Sequence, residues 1–345
     1  MRTAAIFSSF AMVAIWGACS SSPSAVQSIG PEAGTGTPPA ICNGHAELCS
    51  RKYTDVAFPG THDADATVAD KFIAADQTFS VADQLAMGVR VLHFEMQPYQ
   101  DDTYLCHSLC AIGNTLLLTE LQTVQAFVVA HPSEVVTLLM ESTNTTTDAI
   151  ATIVRASGLM PYLHTQAAGA AWPTLSEMIQ HGDHVVIFNA DQTSTGGTTF
   201  PWLHDRFAKT WETPWNNKTP QDFGRCDADR GAKGNDIYVV DTYREDSVIA
   251  TPEAAHTVNL NSFLIDRLLT CQKTEATFPN FVMVNFFEIG DLFRDVDILN
   301  GFEATPNDDL SKFPPSTFPG ESDGGLADAA ADQDAGDASD AGDGG

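Results

Sequence analysis

Basic residues are scarce. Lys and Arg number 17 among 345 residues, against 45 Asp and Glu, which gives a net charge of −28. A chain this acidic has no electrostatic footprint for DNA or RNA, and no Lys/Arg cluster for unaided docking on an anionic membrane. The N-terminal apolar stretch, residues 4–18, is too short to stay in a bilayer as a permanent span. No C-x₂-C pair occurs, so a zinc site is the weaker use of the cysteines. No glycine-rich phosphate loop follows the first expected strand, which disfavours a doubly wound dinucleotide-type sheet. What is plentiful is apolar: 43% of the residues are hydrophobic, enough to bury a sizeable core and to exclude wholesale disorder.

The two ends are set apart by composition. Residues 1–18, a basic start followed by an apolar core and small residues, read as a secretory signal peptide. Trp16-Gly17-Ala18-Cys19 resembles a bacterial lipoprotein signal, in which Cys19 is lipidated and tethers the protein to a membrane; an ordinary signal with an incidental Cys is the alternative. Residues 19–40 are a Ser/Pro/Gly-rich tether. Residues 306–345 form an acidic Gly/Ala/Asp tail of disordered type. Export agrees with the cysteines. Setting Cys19 aside leaves six, an even set that suggests disulfides. Of fifteen pairings, the local Cys42–Cys49 and Cys106–Cys110 are expected, leaving Cys226–Cys271. Asn144 and Asn217 head glycosylation sequons that read as ordinary loops in such a chain.

Residues 41–305, roughly 265 positions, are the size of a (β/α)₈ barrel. Strands are expected from Val56 into Pro59-Gly60 and over 89–95, 135–141, 185–188, 237–240 and 281–286, with helices over 115–130, 147–157, 175–180 and 258–269. The alternation favours a parallel sheet, closed or open. Polar residues gather at the strand ends: His62 and Asp63, His93 and Glu95, His107, Glu141, Asn189, Asp241 and Tyr243, and Asn285. In a barrel those ends form the active face. Period-two alternation puts Val91, His93 and Glu95 on one face, and Thr137, Leu139 and Glu141 on another. Glu95 and Glu141 on neighbouring strands repel unless something positive lies between them. Ca²⁺, or Mg²⁺, is the expected occupant; the alternative is a protonated Glu, or one paired with an Arg such as Arg90. Two His beside such a centre suit phosphodiester cleavage, one taking a proton from the attacking hydroxyl and one giving a proton to the departing oxygen.

Several ordered motifs carry a family resemblance. Phe58-Pro59-Gly60-Thr61-His62-Asp63, Gln84-Leu85 with Gly88-Val89-Arg90, Leu105-Cys106-His107 and Pro132-Ser133-Glu134-Val135-Val136 resemble the phosphatidylinositol-specific phospholipase C X-domain superfamily. Trp172-Pro173-Thr174-Leu175, Glu212-Thr213-Pro214 and Cys226 with Asp229-Arg230-Gly231 are similar to its secreted PLC-like phosphodiesterase branch. The resemblance implies a distorted (β/α)₈ TIM barrel with the site at the strand C-termini. It implies His62 as general base and His107 as general acid, with Asp63, Glu95 and Glu141 as metal ligands. His93 stands at another acidic position of the family and is a poor Ca²⁺ ligand. Asp241 and Tyr243 resemble the pair that hydrogen-bonds and stacks on an inositol ring, and Arg90 is placed with them on the substrate side. Asn285 replaces the Asp that orients the base, and Ala190 replaces an inositol-reading Arg.

The expected protein is thus an exported, monomeric phosphodiesterase of phospholipase C type, acting on a phospholipid or a lipid-anchored head group. Alternatives are a barrel of glycerophosphodiesterase or sphingomyelinase D type, a non-catalytic ligand-binding lipoprotein, and a carbohydrate hydrolase with paired carboxylates.

Overall fold

The computed structural model describes residues 38–191, 200–219, 221–245 and 249–303, all within one compact unit. The signal 1–18, Cys19 with its proposed lipid, most of the tether 19–40 and the tail 306–345 lie outside the described residues.

The chain runs β1 (Phe58–Thr61), α1 (Val81–Met87), β2 (Val91–Tyr99), β3 (Asp102–Leu105), β4 (Thr115–Leu116), α2 (Leu117–Ala130), β5 (Val136–Ser142), α3 (Thr147–Ser157) and α4 (Leu175–His181). It continues through β6 (Val185–Asp191), β7 (Leu203–Asp205), α5 (Arg206–Lys209), β8 (Thr210–Glu212), β9 (Arg230–Gly231), β10 (Ile237–Asp241), α6 (Pro252–Val258), α7 (Asn261–Glu275), β11 (Phe281–Val284) and α8 (Leu292–Leu299). Eight strands are parallel neighbours in the order β7-β6-β5-β2-β1-β11-β10-β8. β9 is antiparallel to β8, and β3 and β4 form an antiparallel extension of β2. Among the described residues no ladder joins β7 to β8, so the ring is open on that side. This is the expected distorted barrel of α/β class.

Alternation builds two layers. Val91 of β2, Leu139 of β5, Val186 and Phe188 of β6, Val239 of β10 and Phe281 of β11 meet inside the barrel with Phe58, Tyr53 and Trp172. Their sequence neighbours Leu92, Phe94, Leu138, Met140, Ile187 and Val282 face the helices. Full burial of one such side chain contributes about 1.5–3 kcal/mol, so both faces of each strand are held. Helices begin where a side chain can take an orphan amide. Ser80 accepts from Asp83 N at α1, Thr146 from Ala149 N at α3, and Thr174 forms a full capping box with Glu177 at α4. Gly158 ends α3 in the left-handed region at φ 85°, as its place after residue 157 suggested.

The first strand is Phe58–Thr61, not a run starting at Val56. Ala57 is instead held from the side by Asn300, which accepts from Ala57 N at 3.0 Å and donates to its carbonyl at 2.9 Å. The expected helix 115–130 loses its first two residues to β4, which pairs with β3. The three disulfides are Cys42–Cys49, Cys106–Cys110 and Cys226–Cys271, as expected.

Candidate active site

A cavity of about 220 Å³ opens at the C-terminal ends of the strands. His62, Asp63, His93, Glu95, His107 and Glu141 all line it, with Tyr243, Trp215, Arg230 and Glu245. Residues separated by some eighty positions of chain therefore meet at one wall.

His62 follows β1, and its backbone N–H donates to Val284 O at 3.0 Å, which ties it to β11. Asn285, next along β11, accepts from His62 Nδ1 at 3.0 Å. That bond leaves Nε2 with the free lone pair a base needs. The ring is stacked between Tyr243 (centroids 3.9 Å) and His93 (5.3 Å). His107 sits in the short loop that follows β3 and is closed by the Cys106–Cys110 bridge. Its Nδ1 donates to Ala74 O at 3.0 Å, so Nε2 faces the cavity. The Nε2 atoms of His62 and His107 each lie 3.6 Å from Asp63 Oδ2, so they are no more than twice that distance apart.

The two imidazoles titrate in opposite directions. Burial pushes His62 down to about 4, against the pull of Asp63. Burial would depress His107 as well, but Asp63, the Ala74 carbonyl and Glu95 outweigh it and raise its pKa. One imidazole lowered and its neighbour raised is the split in pKa that acid/base catalysis uses.

The carboxylates divide similarly. Burial opposes the charge on Asp63, yet His62, His93 and His107 hold its carboxyl far below the usual range. His93 donates from Nδ1 to Asp63 Oδ1 at 2.9 Å, and its Nε2 is 3.6 Å from Glu141 Oε2. Burial alone would lower His93, but these two acids raise it to about 10. Glu95 and Glu141 are register partners on β2 and β5, side by side as alternation required. Glu141 takes its positive charge from the protein, with Arg230 Nη1 at 3.3 Å and Arg206 Nη1 at 3.5 Å. Both arginines also pair with buried Glu212, Arg206 at 2.9 Å and Arg230 through Nε. Burial and the nearby Asp63 charge push Glu95 up to about 7.

The expected ligands Asp63, Glu95 and Glu141 line one cavity but are not one compact donor group. Among the described residues the compact groups are His62, Asp63 and His93, and Asp63, Asp76 and His107. The first offers two imidazoles and one carboxylate and the second two carboxylates and one imidazole, whereas Ca²⁺ and Mg²⁺ prefer all-oxygen sets. With Glu141 already neutralised by two guanidinium groups, the donor set does not fit the expected cation. Positive charge beside Glu141 comes instead from Arg230 of β9 and Arg206 of α5.

Of the expected substrate residues, Arg90 is placed elsewhere and Asp241 is buried within the charge network of Arg230, Arg206 and His93. Arg90 lies at the opposite end of the barrel. Its Nε binds Glu134 at 2.8 Å, its Nη1 donates to the Leu85 and Val89 carbonyls, and it packs over Phe127. It is structural, and Glu134 rather than Glu95 or Glu141 is its partner. Asp241 is 3% exposed at the end of β10 and does not line the cavity. Tyr243 does line it, but its ring is 2% exposed and packs on His62. Arg206 and Arg230 were missed as site residues. Arg230 lay inside a quoted motif; nothing local marks Arg206. The Gly231 backbone explains the spacing after Arg230: at φ 75°, a Cβ there would sit 2.1 Å from Thr210 O, so only glycine lets β9 close on β8.

Comparison with known proteins identifies the family and the fold. The PI-PLC X 1 family model matches residues 48–300. The chain belongs to the PI-PLC X domain family. This X domain is 28% identical to PI-PLC X domain-containing protein 1 of Arthroderma benhamiae, over 76% of this chain and 90% of that protein. It is 27% identical to an uncharacterized secreted protein of the same organism, over 73% of this chain and 61% of that one. A PI-PLC X domain-containing protein of Arabidopsis thaliana is 25% identical, over 77% of this chain and 65% of its own length. Among solved structures the X domain superposes on the phosphatidylinositol-specific phospholipase C of Listeria monocytogenes with a TM-score of 0.50, at 14% identity, over 74% of this chain and 96% of that one. A Staphylococcus aureus enzyme of the same kind gives 0.51, at 14% identity, over 72% and 93%. At these identities the likeness is one of fold.

Proposed function

We propose that the protein is an exported phosphoric diester hydrolase or lyase of phospholipase C type, with His62 as general base and His107 as general acid. The observation that carries this reading is the pair of Nε2 atoms aimed at one carboxylate oxygen from opposite protonation preferences. The family, the solved phosphatidylinositol-specific phospholipases C, the secreted relative and the disulfides support it.

For an inositol lipid, His62 Nε2 takes the proton of the ring hydroxyl next to the phosphate. The freed oxygen attacks phosphorus and His107 Nε2 gives its proton to the departing diacylglycerol oxygen. The products are diacylglycerol and a cyclic phosphate. For a head group without that hydroxyl, water is the nucleophile. Arg230 and the charged His93 bring positive charge to a cavity that also holds the acids Asp63, Glu95, Glu141 and Glu245, which suits a single diester phosphate better than a highly phosphorylated head group. No step passes through a cation. Tethering through a lipidated Cys19 would hold the domain near its substrate.

The test is product analysis on mixed phospholipids. Diacylglycerol is expected from the wild type, and His62→Ala and His107→Ala are each expected to lose about 10²–10⁴-fold in kcat. Full activity in either variant sinks the assignment. Phosphatidate or ceramide phosphate as product would move the protein to the head-group-releasing class.

A further inference from the structure

Asn285 leaves the base short of charge. An amide fixes which nitrogen of His62 carries hydrogen, but it does little for an imidazolium. A second buried carboxyl, raised well above the ordinary range by burial and by the Asp63 charge, lies one contact further on. Asn285 Nδ2 donates to Asp76 Oδ1 at 3.0 Å, and the other carboxylate oxygen, Oδ2, lies 3.3 Å from His107 Nδ1. Asp76 is 1% exposed, and no strand end supplies it; it comes from the long connection between β1 and α1. Its backbone is pinned on both sides, N–H to Ala66 O and carbonyl to Phe286 N, each at 2.8 Å. Gln77 beside it donates to the carbonyls of His62 (2.7 Å) and Val284 (3.1 Å). One pair of adjacent residues therefore clamps the ends of β1 and β11 together.

We propose that Asp76 is a positioning residue shared by both imidazoles. One oxygen locks the Asn285 amide, and through it the His62 tautomer; the other faces the His107 ring directly. This rests on His62 and His107 being base and acid. In that reaction His107 Nε2 loses its proton to the leaving oxygen while His62 Nε2 gains one from the nucleophile. A single pinned carboxyl in contact with both ring supports keeps the two Nε2 atoms in register as the protons pass.

Asp76→Ala and Asp76→Asn test the idea together. Alanine removes both contacts, whereas asparagine keeps the shape and an oxygen for Asn285 Nδ2. On the phospholipid that the wild type cleaves, Asp76→Ala is expected to lower kcat by about tenfold or more, with KM little changed and the far-UV CD spectrum intact. Asp76→Asn is expected to recover at least part of that rate. Wild-type kcat in a folded Asp76→Ala overturns the proposal, and so does a folded Asp76→Asn no faster than Asp76→Ala; if only Asp76→Asn folds, a kcat more than about tenfold below wild type overturns it. Loss of activity in His62→Ala and His107→Ala alongside wild-type kcat in Asp76→Ala would sink this inference alone; full activity in either His variant would sink the reading beneath it.

Discussion

His62 and His107 are the same side chain in two electrostatic settings, and the difference should be visible in the pH profile. His62, pushed down to about 4, is a competent neutral base at any pH above that value. His107, raised above its ordinary 6.5, keeps the proton that the proposed reaction draws on until the pH passes its own pKa. The dependence of kcat/KM on pH is therefore expected to be a bell with an acidic limb near pH 4 and an alkaline limb above pH 6.5. An acidic limb above 6.5 would exchange the two roles. Glu95 makes a second prediction at this scale. Pushed up to about 7, it is half protonated in neutral solution, and Gln is close in shape to its neutral form. Glu95→Gln is expected to stay within about tenfold of wild type at pH 7, well short of the loss of an acid or base, and EDTA is expected to leave the wild-type rate unchanged. Collapse of both activities, with Ca²⁺ restoring the chelated wild type, would mean that the acids turn toward a cation. His62, His107 and the acids on their strand ends were legible because each sits beside a recognisable apolar run. Arg206 and Asp76 were not, because both act on the site from connecting segments whose return to it depends on tertiary packing.

At the scale of elements, the strands that could be read are those buried on both faces. The runs 135–141 and 237–240 differ from the observed β5 and β10 by a residue or so at the ends, because near-continuous apolar sequence leaves little room for another reading. β2 extends to Tyr99, beyond the expected 95, because it turns into a hairpin with β3 that carries polar residues. β7, β8 and β9 span two or three residues each, too short for any periodicity to show. The expected helix 258–269 is displaced to Asn261–Glu275, since Asn259 and Leu260 serve as the joint after α6. One short element bears directly on activity. The Cys106–Cys110 bridge closes the turn that holds His107. By loop-closure entropy a ring this small contributes about 2 kcal/mol, so its main effect is on the placement of one imidazole. Cys106→Ser/Cys110→Ser is expected to lower kcat by about tenfold or more while shifting the urea midpoint only modestly, since small displacements at a reacting group are expensive in rate. Unchanged kcat would show that the Ala74 and Asp63 contacts suffice to hold the ring.

For the whole molecule, length and alternation pointed to a parallel sheet, closed or open, and the motifs to the family and its distorted barrel. The gap between β7 and β8 did not show in the sequence. It follows from the short α5 turn that connects them directly, where a regular barrel has a full crossover helix. The order of the strands has a further consequence. β1, the first to be made, lies between β2 and β11, the last, with Phe58 beside Phe281 and Thr61 beside Val284. A growing polypeptide thus carries an unfilled berth next to its first strand until almost the entire domain has been synthesised. The residue that orients His62 arrives immediately behind that final strand. The cavity proposed to do the chemistry is therefore assembled by the same late event that completes the sheet.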